Sequence, residues 1–431
     1  LKNYPGLVKR ISGALSQLSD ARAGFLVGQL YTALLPDAEQ KQYGAYYTPP
    51  PLVDRLLDSL EQAGFDWETG TIVDPACGGA AFLAPLAAKM VAHARKRQPI
   101  KILEDIEARL CGAEIDPFAA WVSQVLLDIA LLELSLRVGR LPDVPIANVD
   151  SLRSELPRAR RFDLVIGNPP YGKVTLPIQE RARFKRSLFG HSNLYGLFTD
   201  LAVDLANDQG LIAFVTPTSF LGGEYFKNLR KLLAEKAPLT RLDFVSDREG
   251  VFQGVLQETL LAVFDKRRAQ TNTSVQVNLL HPDGISNEMA VEKIGPSTKI
   301  CPNGGPWLLA RSKTQSGMLK QMGRMNRRLR DYGYDVSTGQ LVWNRHKSQL
   351  RAEFEPDAFP IIWAEAVAPD GSFEFQAARR NHLPYLKLDG RQDHLINHEP
   401  CILVQRTTAK EQRRRLISAV IPNSFVLEYP G

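Results

Sequence analysis

Between residues 71 and 264 the chain alternates in a way that leaves few folds open. Seven short aliphatic and β-branched runs, at 71–74, 110–114, 144–149, 162–166, 211–215, 239–245 and 259–264, are separated by segments with apolar residues at helical spacing, such as 81–96, 118–138, 194–206 and 220–235. Strands joined by helices cannot pair through tight turns; each crossover has to run along one face of a sheet. This predicts an α/β fold with a mostly parallel, doubly wound, Rossmann-like sheet, whose ligand lies at the carboxyl ends of the strands. Ahead of it, Ile11, Leu15, Leu18, Phe25, Leu26, Leu30 and Leu34 predict one or two helices. Residues 98–109 lengthen the unit between the first two strands and read as a surface insertion. After Asp265-Lys-Arg-Arg the chain turns polar, as in a linker. The expected organisation is a helical segment over 1–42, the α/β domain over 43–267 and a mixed α+β domain over 268–431.

The composition supports folded domains. Of 431 residues, 44% are hydrophobic and 23% charged, which suits two or three buried cores and excludes disordered, collagenous and membrane-spanning classes. Cys77, Cys111, Cys301 and Cys401 form no CxxC pair, so neither a zinc ribbon nor a disulfide scaffold is expected, and a reducing, cytoplasmic setting is. No secretion leader is visible, and a start at Leu1 with a stop at Gly431 leaves room for trimming at either end, including part of the last domain. Charge is unevenly spread: residues 271–431 hold 21 Lys+Arg against 16 Asp+Glu, out of 53 against 47 overall. Arg311 to Arg330 contains seven basic residues and no acid, and a second cluster spans Arg406, Lys410, Arg413, Arg414 and Arg415. Solvated helix faces would account for either run alone; together with Trp307, Trp343 and Trp363 they point to a polyanion-binding module.

The chemistry is written at the ends of the predicted strands. The first ends Val73-Asp74-Pro75-Ala76-Cys77-Gly78-Gly79, a small-residue turn into a helix that carries an acid and no GxGxxG. Asp74 would repel a pyrophosphate but suits a cationic or hydroxyl-bearing ligand. The second strand ends in Glu114-Ile115, a carboxylate placed to accept from ribose hydroxyls, and the third in Asp150-Ser151. Each acid alone could be a helix cap; three at successive strand ends describe a nucleoside site. The fourth strand runs into Gly167-Asn168-Pro169-Pro170-Tyr171. Two prolines hold an extended turn, so the Asn168 side chain and the Pro169 carbonyl can face one point as two acceptors, with Tyr171 offering a flat ring.

These motifs resemble the S-adenosylmethionine-dependent DNA N6-adenine methyltransferases with cofactor motifs ahead of NPPY and a carboxyl-terminal target-recognition domain. The resemblance covers about residues 43–265. It implies a class I methyltransferase domain followed by a DNA target-recognition domain, transfer of a methyl group to the N6 of a flipped adenine in duplex DNA, and a restriction–modification setting. By resemblance, the segment around Tyr47 and Thr48 closes over the cofactor methionine, and Asp74, Ala76, Cys77 and Gly78 surround methionine and ribose. Glu114 and Ile115 hold the ribose, Asp150 and Ser151 the adenine end, with Asn168 and Pro170 alongside. Asn168, Pro169, Pro170 and Tyr171 are the implied catalytic turn, and Phe252 the aromatic that grips the base with Tyr171. Phosphate contacts are expected from Arg324, Arg327, Arg328, Arg406, Lys410 and Arg413. A monomer with no metal and no membrane, partnered by double-stranded DNA and a separate endonuclease, completes the expectation.

Other substrates share the turn. Enzymes that methylate a glutamine side chain of release factors, guanine N2 of ribosomal RNA or cytosine N4 use related turns, but the first two usually have an Asp-x-Gly-x-Gly turn and no long basic carboxyl-terminal domain. A DNA-binding subunit with a vestigial cofactor fold is the non-enzymatic alternative, opposed by the intact set of Asp74, Glu114, Asp150, Asn168 and Tyr171. Pro36-Asp37-Ala38-Glu39-Gln40-Lys41 only superficially spells a nuclease pattern. His394 and His398 have the spacing of metal ligands without the glutamate of an HExxH site, and no metal is expected.

Overall fold

The computed structural model describes residues 5–34, 48–94, 97–154, 160–246, 258–269, 274–282, 289–297, 303–390, 392–398, 401–405 and 416–429. They fall into two compact units, Leu1–Asn326 and Arg327–Gly431.

The first unit opens with helices α1 (Pro5–Leu15), α2 (Asp20–Leu34) and α3 (Pro50–Gln62). Strand β1 (Ile72–Asp74) is followed by α4 (Leu83–His93) and α5 (Pro99–Arg109), and β2 (Leu110–Glu114) by α6 (Pro117–Ala130) and α7 (Leu132–Val138). Next come β3 (Ile146–Asn148), β4 (Phe162–Gly167), a short pair β5 (Lys173–Val174) and β6 (Ser192–Asn193) enclosing α8 (Ile178–Arg183), and α9 (Leu194–Leu205). The unit continues with β7 (Ala206–Pro217), α10 (Lys227–Lys236), β8 (Leu239–Val245), β9 (Thr259–Asp265), β10 (Val275–Pro282), β11 (Met289–Ser297) and α11 (Lys313–Met322).

Nine of these strands form one sheet in the order β11-β10-β8-β9-β7-β4-β1-β2-β3. Strands β3, β2, β1, β4 and β7 are mutually parallel, β9 runs antiparallel between β7 and β8, and β10 is parallel to β8. The expected α/β, doubly wound, Rossmann-like domain is therefore present. Its order reverses beside β1, and a ligand crevice is expected at such a reversal, outside the carboxyl ends of the strands. Alternation along the strands builds the two cores: Leu211, Ala213 and Val215 of β7 pack with α3 and α4, whereas Ile212 and Phe214 pack with α9 and α10 on the other face.

Three expectations are corrected. Residues 98–109 are a core helix, not a surface insertion, because Ile102, Leu103 and Ile106 recur at helical spacing and are buried. The segment 118–138 is two helices meeting at a 68° bend. The third concerns the boundary after residue 267, where β10 and β11 extend the same sheet. Buried Asp243 of β8 accepts from Arg55 Nε of α3 and from Asn278 Nδ2 of β10, both at 2.6 Å, so β10 is tied to the domain by a polar network as well as by its ladder. Farther on, Arg230 of α10, 1% exposed, donates through Nη1 to the carbonyls of Phe220 and Gly223 and through Nε and Nη2 to those of Gly304 and Gly305, at 2.7–3.0 Å. Buried Trp307 packs edge-on against Phe220 at 5.9 Å.

The second unit has a sheet of β12 (Leu350–Arg351), β13 (Ala358–Pro360) and β14 (Tyr385–Lys387), a pair β15 (Ile402–Val404) and β16 (Ser418–Val420), and a short helix α12 (Asn423–Glu428). Its core gathers Leu350, Ile361, Trp363 and Leu386, with Trp363 stacked on His382 at 3.6 Å and donating from Nε1 to the Leu383 carbonyl. Among the described residues no group of His, Cys, Asp and Glu could hold a metal, and no single helix is long and apolar enough to cross a membrane.

A buried guanidinium satisfied by carbonyls leaves them stranded when removed. Arg230→Ala is expected to destabilise the chain by about 3–5 kcal/mol and Arg230→Lys to recover only part of this. Urea unfolding midpoints at unchanged slope are the measure, and a wild-type midpoint for Arg230→Ala would refute the clamp.

Candidate active site

A cavity opens at the carboxyl ends of β1, β2, β3 and β4, and the sequence-predicted residues Thr48, Asp74, Ala76, Cys77, Gly78, Glu114, Ile115, Asp150, Ser151, Asn168 and Pro170 all line it. Short strands ending in acids, each followed by a turn, bring residues distant in sequence to one rim. Tyr47, Phe252, Arg406, Lys410 and Arg413 lie outside the described residues.

Asp74 is 1% exposed. Its Oδ1 accepts from the Ala76 N–H at 3.0 Å, and its Oδ2 is buried with no hydrogen-bond partner among the described residues. Burial, with a smaller push from Glu114, raises its carboxyl to about 8. A Cβ on Gly167 would lie 2.6 Å from Asp74 Oδ1, so the strand carrying the Asn-Pro-Pro-Tyr turn can pass there only as glycine.

The turn after β1 is held from several sides. The Gly78 N–H donates to Glu114 Oε2 and the Asp116 N–H to Glu114 Oε1, both at 2.9 Å. Burial raises the Glu114 carboxyl, and the N–H groups of Asp116, Gly78 and Ile115 lower it in part. Gly78 has φ +55°, and a Cβ there would meet nothing within 4 Å. Ser151 Oγ donates to the Pro75 carbonyl at 2.6 Å, and Asn148 Nδ2 to the carbonyls of Glu114 and Ile115. Asp150 Oδ1 accepts from the Leu152 N–H at 2.9 Å, which turns the carboxylate at the strand end. Beyond it, Leu152, Val174, Leu176, Phe184 and Phe198 give the cavity an apolar end. Cys77 is buried, and desolvation, reinforced by Asp74 and Glu114, pushes its thiol well above the ordinary range, consistent with no nucleophilic role.

At the other end the Asn168 amide is oriented: Nδ2 donates to Thr48 Oγ1 at 3.1 Å and Oδ1 accepts from the Tyr171 hydroxyl at 2.7 Å. Pro169 is buried and Pro170 faces the cavity. Tyr171 departs from the reading as an open platform. It is 8% exposed, lies in the core edge-on to Tyr195 at 6.2 Å, and does not line the cavity.

Two contributors were not read from the sequence. Asp116 caps α6 by accepting from the Phe118 N–H and also accepts from the Tyr31 hydroxyl at 2.5 Å. Tyr31 comes from α2, packs on Phe118 at 4.4 Å and lines the cavity. The Asp116-Pro117 capping signature was available; nothing in the sequence joins it to Tyr31. Of the expected phosphate contacts, Arg324 is exposed in the first unit, and Arg327, beside the Tyr332 ring, and Arg328 are exposed in the second.

The family model for N-6 DNA Methylase matches residues 23–290. The type II methyltransferase M.PstI of Providencia stuartii is 24% identical over 267 residues, covering 60% of this chain and 52% of that protein. M.TthHB8I of Thermus thermophilus is 30% identical over 219 residues, 47% of this chain and 41% of that one. The chain thus spans about half the length of the curated relatives it matches. A cryo-EM structure of a DrdV–DNA complex aligns with a TM-score of 0.50 over 70% of this chain and 36% of that chain at 16% identity, a likeness of fold.

S-adenosylmethionine is the cofactor of this family, and the cavity fits it. The orphaned Asp74 oxygen suits an ammonium group, Glu114 a pair of ribose hydroxyls, and the apolar end beside Asp150 a purine. By matched sequence, sheet and site, the chain belongs to the N-6 DNA methylase family.

Proposed function

We propose that the chain transfers a methyl group from S-adenosylmethionine to the N6 amino group of an adenine swung out of duplex DNA, as the modification enzyme of a restriction–modification system. The observation that carries this reading is the oriented Asn168 amide at the cavity's edge. Nδ2 donates to Thr48 and Oδ1 accepts from Tyr171, so the amide is held in one orientation and its oxygen is the acceptor it would offer. A target amino group would donate there and to the Pro169 carbonyl. Two acceptors and no donor draw the nitrogen toward tetrahedral geometry and free its lone pair.

The cofactor, when bound, supplies an electrophilic methyl on a sulfonium. For the rest, the chain acts by position. Asp74 holds the charged end, Glu114 the sugar and the Asn168 turn the incoming nitrogen, so that the approach is in line. No base is required beforehand, because the proton leaves after transfer. Swinging the base out costs a few kcal/mol, offset by aromatic stacking, for which Phe252 is the sequence candidate, since Tyr171 lies in the core. The second unit is proposed to read the DNA sequence, and Arg324, Arg327, Arg328, Arg406, Lys410 and Arg413 to contact phosphate. The working form is proposed to be a cytoplasmic monomer with a separate endonuclease as partner.

Four outcomes are expected. Asn168→Ala should reduce methyl transfer at least about 1000-fold with cofactor affinity within about threefold of wild type, measured by labelled-methyl transfer and equilibrium binding. Tyr171→Phe keeps the ring but removes the hydroxyl that orients Asn168; kcat should fall about three- to tenfold with KM little changed. Asp74, with its carboxyl raised to about 8, is protonated below that pH in the free protein and should ionise against a bound ammonium. Cofactor binding at pH 7 should therefore release close to one proton, and Asp74→Asn should abolish the release, as read by calorimetry in buffers of different ionisation heat. Because this carboxyl is raised on folding, its contribution favours the folded state at low pH and is lost as pH rises from about 4 to about 8. Asp74→Asn should flatten that slope in the free protein. Label appearing only on RNA, cytosine or a protein glutamine would overturn the substrate assignment.

A further inference from the structure

We propose that the segment following the Asn-Pro-Pro-Tyr turn, with the short turn Glu224–Phe226 beside it, is a binding surface for an unpaired nucleic-acid strand. It takes phosphates on Lys173, Arg181 and Lys185 and stacks exposed bases on Phe189 and Tyr225. The inference rests on the reading of the protein as a DNA methylase and adds to it a contact surface on the catalytic unit itself.

Charge is the first support. Residues 172–191 hold five Lys+Arg and one Asp+Glu, whereas the whole unit 327–431 holds 15 against 13. Arg186 is spent on Asp200 and Asp204. Lys173 and Lys185 are exposed and have no ion-pair partner among the described residues, and Arg181 donates to a backbone carbonyl, that of Gly190, at 2.9 Å. A cationic segment left unneutralised beside an acceptor-only site suits a polyanionic substrate.

The second support is aromatic. Phe189 is 38% and Tyr225 48% exposed. Lys227 Nζ sits 3.4 Å from the Phe189 ring centroid, and His191 meets Tyr225 edge-on at 5.1 Å. Rings interleaved with cations on a surface are the means by which single strands are held, bases on the rings and phosphates on the charges. A fully paired duplex has no free base face to offer; a duplex opened to extrude one base does.

The third is placement. Strands β5 and β6 pair Lys173 with Asn193, and the Leu194 N–H donates to the Gly172 carbonyl, so both ends of the segment are pinned beside Tyr171. Asn228 Nδ2 donates to the Leu188 carbonyl at 2.6 Å, which seats the aromatic loop on α10. The surface thus starts two residues beyond the turn that would receive the extruded base.

The test uses the full chain and a fluorescently labelled 20-nucleotide single strand, followed by anisotropy across a salt series. The double variant Lys173→Gln/Lys185→Gln should lower the slope of log affinity against log salt by about 1.4, or about 0.7 per lost phosphate contact. Phe189→Ala should weaken binding about tenfold at constant salt, with a wild-type slope. Unchanged S-adenosylmethionine affinity in both reports an intact fold. Wild-type strand affinity and slope in both variants, with a wild-type chain that methylates duplex DNA, would overturn this inference and leave the function standing. A wild-type chain that neither binds nor methylates DNA would overturn both. Equal loss of binding to poly-glutamate in Phe189→Ala would assign the rings to a protein partner and overturn it as well.

Discussion

A carboxylate enclosed with no cation beside it among the described residues is the constraint around which the first unit is arranged. An isolated ionised carboxylate in a protein interior is costly, and the free protein avoids the cost by keeping Asp74 protonated up to about pH 8. Packing around it is close: the neighbouring strand β4 can pass only as Gly167, the next carboxylate accepts from two backbone N–H groups, and Pro75 is tied down by Ser151. A positive group placed beside Asp74 would lower its carboxyl and let it ionise.

Much of this was legible in the sequence, for identifiable reasons. Parallel strands buried on both faces read as continuous aliphatic runs, and each of the seven predicted runs coincides with a strand. The strand-end acids and the Asn-Pro-Pro-Tyr turn are local patterns, and folding brought Asp74, Glu114, Asp150, Asn168 and Pro170 to one cavity. What escaped was decided by partners remote in sequence. Strands β10 and β11 are polar enough to read as a linker; the ladder of β10 with β8 and with β11, the burial of Val275, Val277, Leu280 and Ile294, and the Asp243–Asn278 bond give them their place. Tyr171 reads as an exposed ring because nothing local shows that Tyr195 and the Val215 carbonyl lie against it. Tyr31 and Asp116 are 85 positions apart, joined by a hydrogen bond that no spacing rule reports.

The distribution of charge changes meaning in the same way. Divided at the polar stretch after residue 267, the excess falls in the carboxyl-terminal part. Divided where the compact units separate, the second unit keeps only 15 Lys+Arg against 13 Asp+Glu. Much of the difference lies in Lys313, Lys320 and Arg324, on or just after α11 of the first unit, and in Arg311, which is paired with Glu258. Net charge describes a surface only once the fold has said which surface it is.

The Arg230 clamp has a consequence for where the chain can be divided. Because its guanidinium grips Gly304 and Gly305, and β10 and β11 complete the sheet, a cut near residue 267 would sever strands from their own ladder and strand a buried cation. A cut that spares both the sheet and the clamp falls at Arg327, where the second compact unit begins.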